Sequence, residues 1–155
     1  MLDDGRPPST PDELAALCAR IEAWLTTQEA ENPSVAGIER DGDERRWVVR
    51  LLGEEKTTFA VWFFLGQRSL SYETYVMPAP EEQHAVFYEH LLRRNFKLRG
   101  ATFAIGPEDA VYLVGSVPNV EVDDVTLDRI LGTLYAATEA YFRPALRIGF
   151  ASRFG

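Results

Sequence analysis

The stretch that decides the fold is residues 57–77, TTFAVWFFLGQRSLSYETYVM. Phe59, Val61, Phe63 and Leu65 alternate with Thr58, Ala60, Trp62 and Phe64. After Gly66-Gln67-Arg68, Leu70, Tyr72, Thr74 and Val76 alternate with Ser69, Ser71 and Glu73. A period of two in β-branched and aromatic residues marks strands, because successive side chains point to opposite faces. So short a connection leaves no room for a crossover, and the two strands are antiparallel neighbours. The first of them is apolar on both faces, whereas its neighbours are apolar on one. Its second face puts Trp62 and Phe64 at the centre, with Arg50, Ser71, Glu73 and Tyr75 around them. A half-buried antiparallel sheet shows polar residues on its exposed side. An apolar centre inside a polar rim is the pattern of a partner surface. The competing readings are that helices cover both faces, or that these aromatics complete the core.

Working outward, Trp47, Val49 and Leu51 alternate with Arg46 and Arg50, set off by the turns Asp41-Gly42 and Gly53-Glu54-Glu55. A weaker strand is expected over residues 35–40. Ahead of it lies a helix over 11–31. Thr10 caps it, Pro11 suits its first position, and Glu13 completes a capping box. Leu14, Leu17, Cys18, Ile21, Trp24 and Leu25 form its apolar face, and Asn32-Pro33 stops it. Downstream, Met77-Pro78-Ala79-Pro80 ends the meander. A second helix is expected over 80–95, with Glu81 and Glu82 at the positive end of its dipole and Ala85, Tyr88, Leu91 and Leu92 on its buried face. Strands over 101–105 and 110–117 flank the turn Gly106-Pro107-Glu108-Asp109. The last helix is expected over 123–143, capped by Asp123, stapled by Val122 and Leu127, and ended or kinked by Pro144. The order α-β-β-β-β-α-β-β-α, with short turns, predicts an α+β fold: an antiparallel β-sheet flanked by helices. Residues 1–9 read as a disordered leader, 10–146 as a single domain and 147–155 as a C-terminal tail.

A chain of 155 residues with 46% apolar and 26% charged residues is an ordinary single globular domain. That composition excludes a disordered chain, collagen and a membrane bundle. The net charge of −8 repels phosphate backbones, so no nucleic-acid partner is expected. No apolar run approaches the roughly 18 residues of a membrane span, and residues 1–8 lack the apolar core of a signal peptide. With the single cysteine Cys18 there is no intrachain disulfide. A cytoplasmic protein without membrane contact is expected.

Most catalytic signatures are missing. There is no dinucleotide-binding glycine motif, no phosphate-binding loop and no nucleophile elbow: Gly115-Ser116-Val117 lacks the second glycine and the following helix. His84 and His90 are the only histidines. Six residues of helix leave their rings roughly 120° apart, whereas helical metal ligands stand three or four residues apart. Asp123, Asp124 and Asp128 read as helix-cap and dipole charges, not as metal ligands. No catalytic residue, metal site or cofactor is assigned. Arg93, Arg94, Lys97 and Arg99 are the one basic run. It serves either as cations at a helix C-terminus or as a contact for an acidic peptide or phosphate.

Several residues in order resemble a known family. Tyr88-Glu89-His90-Leu91-Leu92-Arg93-Arg94-Asn95 is followed by Phe103-Ala104-Ile105, then Val111-Tyr112-Leu113 and Val117-Pro118, then Leu127-Asp128-Arg129-Ile130-Leu131. This series resembles the YbjN family, also called bacterial sensory transduction regulators, over about residues 34–146. The turn Gly106-Pro107-Glu108-Asp109-Ala110 departs from the family pattern, its usual glycine being displaced. The family's fold is similar to that of class I type III secretion chaperones, small acidic homodimers that hold partner polypeptides in extended form. The resemblance therefore implies a non-enzymatic, homodimeric peptide-binding or chaperone-like module with a protein client. Trp62, Phe64, Tyr75 and Arg50 are its candidate partner-binding residues. The alternatives are a small-molecule-binding regulatory domain and a signalling adaptor.

Overall fold

The computed structural model describes residues 5–154. Helix α1 spans Pro11–Glu31. Its capping box is closed in both directions: Thr10 N donates to Glu13 Oε1 (2.8 Å) and Glu13 N donates to Thr10 Oγ1 (3.2 Å). Four strands follow, β1 (Val35–Asp41), β2 (Arg46–Leu52), β3 (Thr58–Leu65) and β4 (Ser69–Met77), then α2 (His84–Asn95), β5 (Thr102–Ile105), β6 (Val111–Pro118), the long α3 (Asp124–Gly149) and the short α4 (Ala151–Phe154). The strands form one six-stranded sheet in the order β1-β2-β3-β4-β6-β5, and every pairing is antiparallel. The expected α+β architecture and element order are present, with one further helix, α4, in the segment 147–155 expected as a tail.

All the long helices bury their apolar stripes on one face of this sheet. Ile21, Trp24 and Leu25 of α1, Phe87 and Leu91 of α2, and Leu127, Ile130, Leu131 and Leu134 of α3 share one core with Trp47, Val49, Leu51, Phe59, Val61, Phe63 and Leu65. Trp24 meets Phe63 edge-on, with ring centroids 5.9 Å apart. Asp128 joins two helices by accepting from Trp24 Nε1 (2.8 Å) and Gln28 Nε2 (3.2 Å), a bridging role beyond the dipole role read from its sequence position.

Two helix boundaries differ from expectation for a shared reason. α2 begins at His84, and Glu81 and Glu82 lie before it. Their backbone N–H groups donate to the Gly149 carbonyl (2.9 and 3.1 Å). The Glu82 carboxylate accepts from Ser152 N and Oγ (2.5 and 2.9 Å), and Glu81 pairs with Arg153 (3.0 Å). The two acids thus close the end of α3 and the start of α4 instead of opening α2. α3 in turn runs past Pro144 to Gly149. The proline costs one backbone bond, but Ala145, Gly149 and Phe150 are buried, and that burial carries the helix on. A Cβ at Gly149 would stand 2.8 Å from the Phe87 ring, so glycine permits the close approach of α3 to α2. Of its expected buried face, Leu91 is buried and Tyr88 packs partly against the core, joined by Phe87, whereas Ala85 and Leu92 face solvent.

The expected leader falls partly outside the described residues, which exclude 1–4. Beyond them, Arg68 Nε donates to Arg6 O (2.9 Å), Ser9 N donates to Gln67 O (2.7 Å), and buried Asn119 Nδ2 donates to Ser9 Oγ (3.0 Å) and to the carbonyls of Gly66 and Gln67 (3.1 Å each). Residues 6–9 therefore lie against the β3–β4 turn.

The edge of β5 is guarded. Phe103 N donates to Asn95 Oδ1 (2.6 Å), and Asn95 Nδ2 donates to Phe103 O (3.2 Å). One side-chain amide takes the place a neighbouring strand would occupy, which blunts a bare edge. Replacing it, Asn95→Ala, is expected to cost about 1–3 kcal/mol in urea denaturation. It should also produce concentration-dependent association in light scattering; a variant as stable and as monodisperse as its parent would show that the edge needs no guard.

The β2–β3 turn depends on α3. The Glu139 carboxylate accepts from Glu54 N, Glu55 N (2.8 Å) and Lys56 N (3.2 Å). A Cβ on Gly53 would collide with that carboxylate and with the Lys56 carbonyl. Burial pushes the Glu139 carboxyl up, but the three backbone donors and the Tyr135 hydroxyl outweigh it and hold the group below its usual range. A depressed folded value means stability that is present above the unfolded carboxyl range and is lost as pH falls through the folded value. Glu139→Gln is expected to lose about 1 kcal/mol at pH 7, an exposed-site magnitude. The difference from wild type should close as the pH is lowered through the acid range. A gap independent of pH would locate its cause in packing.

Candidate partner-binding face

The outward side chains of the sheet fall into rows fixed by strand register. One row runs Glu39, Val48, Trp62, Glu73, Val114 and Thr102; the next runs Asp41, Arg46, Phe64, Ser71 and Ser116. Trp62 is 48% exposed, Phe64 41% and Tyr75 41%, so these aromatics belong neither to the core nor under a helix. Trp62 and Phe64 stand on successive outward positions of β3 and form one wall of an open groove of about 720 Å³. Arg46, Ser71, Glu73, Thr102 and Val114 line the rest.

The electrostatics of the groove are set by two side chains. The Arg46 guanidinium lies over the Phe64 ring, 5.3 Å from its centroid, a cation–π contact that keeps both groups at the surface. Glu73 sits beside Trp62 on the neighbouring strand. Neither Arg46 nor Glu73 makes an ion pair among the described residues. Past the end of the groove, Tyr75 stacks edge-on with Tyr112 (5.6 Å), and Lys56 Nζ lies 5.2 Å from the Tyr75 centroid and 5.1 Å from that of Phe142 while donating to Val76 O (2.9 Å). Burial lowers the Lys56 pKa. Desolvation, followed by Tyr112 and Glu108, raises that of the Tyr75 phenol.

Of the residues singled out from sequence, Trp62 and Phe64 are brought together with Ser71 and Glu73. Arg50 and Tyr75 are not part of the groove. Arg50 pairs across the sheet with Ala60 and is held in an ion pair with Glu39. Alternation places both Arg46 and Arg50 on the outer face, but only the register sets Arg46 opposite Phe64. Val114 and Thr102 enter because β6 lies beside β4 and carries β5 with it, a non-local pairing that no local pattern signals.

The basic run lies on and just beyond α2. Arg93 pairs with Glu89 one turn back (3.5 Å), Arg94 approaches His90 Nδ1 (3.5 Å), and Arg99 donates to the carbonyls of Phe96 and Leu98 (3.2 and 3.0 Å). Lys97 is exposed. His90 is partly buried, with an unpartnered Nε2, and burial together with Arg94 lowers its pKa. His84 is exposed. Among the described residues no three His, Cys, Asp or Glu side chains gather as a metal site would require, and no helix is long and apolar enough to cross a membrane.

The fold, a six-stranded antiparallel sheet with its helices on one face, is type III secretion chaperone-like. A chain of the HopA1-SchA chaperone-effector complex matches 86% of this chain and 98% of its own length, with a TM-score of 0.59 at 12% identity. A chain of the ExsC-ExsE complex matches 87% of this chain and 95% of its own, with a TM-score of 0.51 at 19% identity. The protein belongs to the YbjN family, "Putative bacterial sensory transduction regulator", whose model matches residues 17–147. Uncharacterized protein ML2442 of Mycobacterium leprae is 34% identical over 135 residues, 87% of this chain and 72% of that protein. Uncharacterized protein Rv0487 of Mycobacterium tuberculosis is 32% identical over 105 residues, 68% of this chain and 57% of that protein.

Adjacent residues of β3 should differ sharply in what they contribute. Phe63→Ala, which empties a fully buried site, is expected to cost about 3–5 kcal/mol in urea denaturation. Trp62→Ala removes a half-exposed ring and should cost about 1 kcal/mol or less. Equal costs would mean that Trp62 is part of the core.

Proposed function

We propose that this chain is a non-enzymatic, chaperone-like protein-binding module. As a cytoplasmic homodimer built on a single domain (residues 10–146), it holds or regulates a partner polypeptide on the open face of its sheet. The observation that carries this reading is the half-exposed pair Trp62 and Phe64 in an uncovered groove, on a sheet whose other face takes every long helix. A contiguous apolar patch in water is a feature soluble monomers avoid unless it is used. Full burial of each such ring returns roughly 1.5–3 kcal/mol, and tryptophan is a frequent interface anchor. Tyr75 and Arg50 border the groove as secondary contacts, and Arg93, Arg94, Lys97 and Arg99 offer a separate contact for an acidic peptide or phosphate. Membership of the YbjN family and the likeness in fold to chains solved in chaperone-effector and ExsC-ExsE complexes support a protein partner.

A second reading has its own observation. The groove volume, about 720 Å³, falls within the range of small-molecule sites, and it carries one cation and one anion that make no ion pair among the described residues. A small-molecule-binding regulatory domain would use the same residues.

The test is the double variant Trp62→Ala with Phe64→Ser, compared with wild type by circular dichroism, light scattering and affinity capture from host lysate. A folded variant that loses dimer mass or a captured protein supports the reading. A variant with unchanged fold, mass and captured proteins removes this face from consideration, and one that unfolds assigns the two rings to the core.

A further inference from the structure

Arg46 and Glu73 do not sit at random on the open face. Arg46 is on β2 in the Phe64 row, and Glu73 is on β4 in the Trp62 row. The line between them crosses β3 between the two aromatic rings. Two strand spacings sideways and two residues along the strands place their Cα atoms about 12 Å apart. In an extended chain, side chains on one side repeat every two residues, so positions i and i+4 stand about 13 Å apart with i+2 between them. The diagonal from Arg46 to Glu73 thus matches the pitch of an extended peptide: a cation at one end, two aromatic rings in the middle and an anion at the other.

The edges offer little competition for such a segment. Asn95 occupies the outward backbone groups of Phe103 on β5, and β1 is broken by a register shift between Val35 and Gly37 and bears Glu39, Arg40 and Asp41. Bulges and charges of this kind disfavour strand addition. A partner is therefore held by side chains across the face, not by main-chain pairing at an edge.

Taking the open face as the partner site, on which this step rests, we infer that the groove selects an extended segment of a protein partner with an acid and a base four residues apart, in either order, and an apolar side chain midway. The acid meets Arg46, the apolar side chain packs on the Phe64 and Trp62 rings, and the base meets Glu73. Both charges of the groove then gain partners that no other described residue supplies, and a segment with two charges of the same sign brings like charges together at one end, which rejects it.

The experiment is selection of displayed random peptides on the full-length protein, with Trp62→Ala as the counter-selection. Selected peptides are then made synthetically and their affinities measured at two salt concentrations. The expected result is enrichment of the stated pattern and an affinity that falls with salt. Binding should weaken about tenfold or more in Arg46→Glu or Glu73→Arg alone. In Arg46→Glu it should be restored when the acid of the peptide is replaced by a base. Apolar peptides that need Trp62 but show no charge pattern would overturn this inference and leave the open face standing. Failure to enrich any peptide over the Trp62→Ala control would remove the face itself. A free zwitterionic amino acid that competes fully with the selected peptides would assign the groove to a small molecule.

Discussion

Every part of this fold answers to one constraint: β3 is apolar on both faces, and the helices cover only one. Phe59, Val61, Phe63 and Leu65 are buried under α1 and α3, while Trp62 and Phe64, on the alternate positions of the same strand, remain about half in water. The period of a strand makes this unavoidable, since a slip of one residue would exchange the two sets. Register holds the arrangement in place. The larger apolar set faces the helices, and Trp47 and Val49 on β2 and Tyr72 and Thr74 on β4 are aligned with it on the buried side. The open face is thus a fixed consequence of how the core is satisfied.

α3 converts that core into a single body. It touches each of the other layers with a polar contact as well as an apolar one: Asp128 holds α1 through Trp24, Glu139 holds the β2–β3 turn, and the Gly149 carbonyl receives the two N–H groups that precede α2. Each of these gives a backbone or indole donor a partner, and for the Trp24 indole, on a buried residue, that partner is one burial would otherwise deny it. They also explain why the helix passes Pro144. Ending there would expose Ala145 and Phe150 and orphan Glu81, Glu82 and Ser152 together.

The sequence carried the local features well. The Thr10–Glu13 capping box, the four-strand meander, the Asp123 cap and the placing of Trp62 and Phe64 on the face opposite Phe63 all follow from patterns spanning a few residues; that this second face stays uncovered does not. What it could not carry was set by pairings between distant residues. Glu81 and Glu82 look like helix-dipole charges by position, and only the arrival of Gly149 and Ser152 gives them other work. Arg50 and Arg46 are equivalent by alternation, and only the register with β3 separates the one bonded to Glu39 from the one over Phe64. Asn95 stands in a run shared with the family, but its role requires β5 to be an edge strand, which depends on β6 lying beside β4.

A chain that leaves two large aromatics on an open sheet must avoid indiscriminate aggregation, and its other features serve that end. The amide of Asn95 closes the edge nearest the groove, and the register shift in β1 spoils the far one. The net charge of −8 opposes nonspecific association at long range, and Arg46 shields one ring with a solvated cation. These devices act on edges and on distant approach. None of them covers Trp62 and Phe64. On the proposed reading the protein is adhesive at one place and repellent elsewhere, and selectivity for a partner requires that combination: apolar contact provides the attraction, while charge decides which segments come close enough to use it.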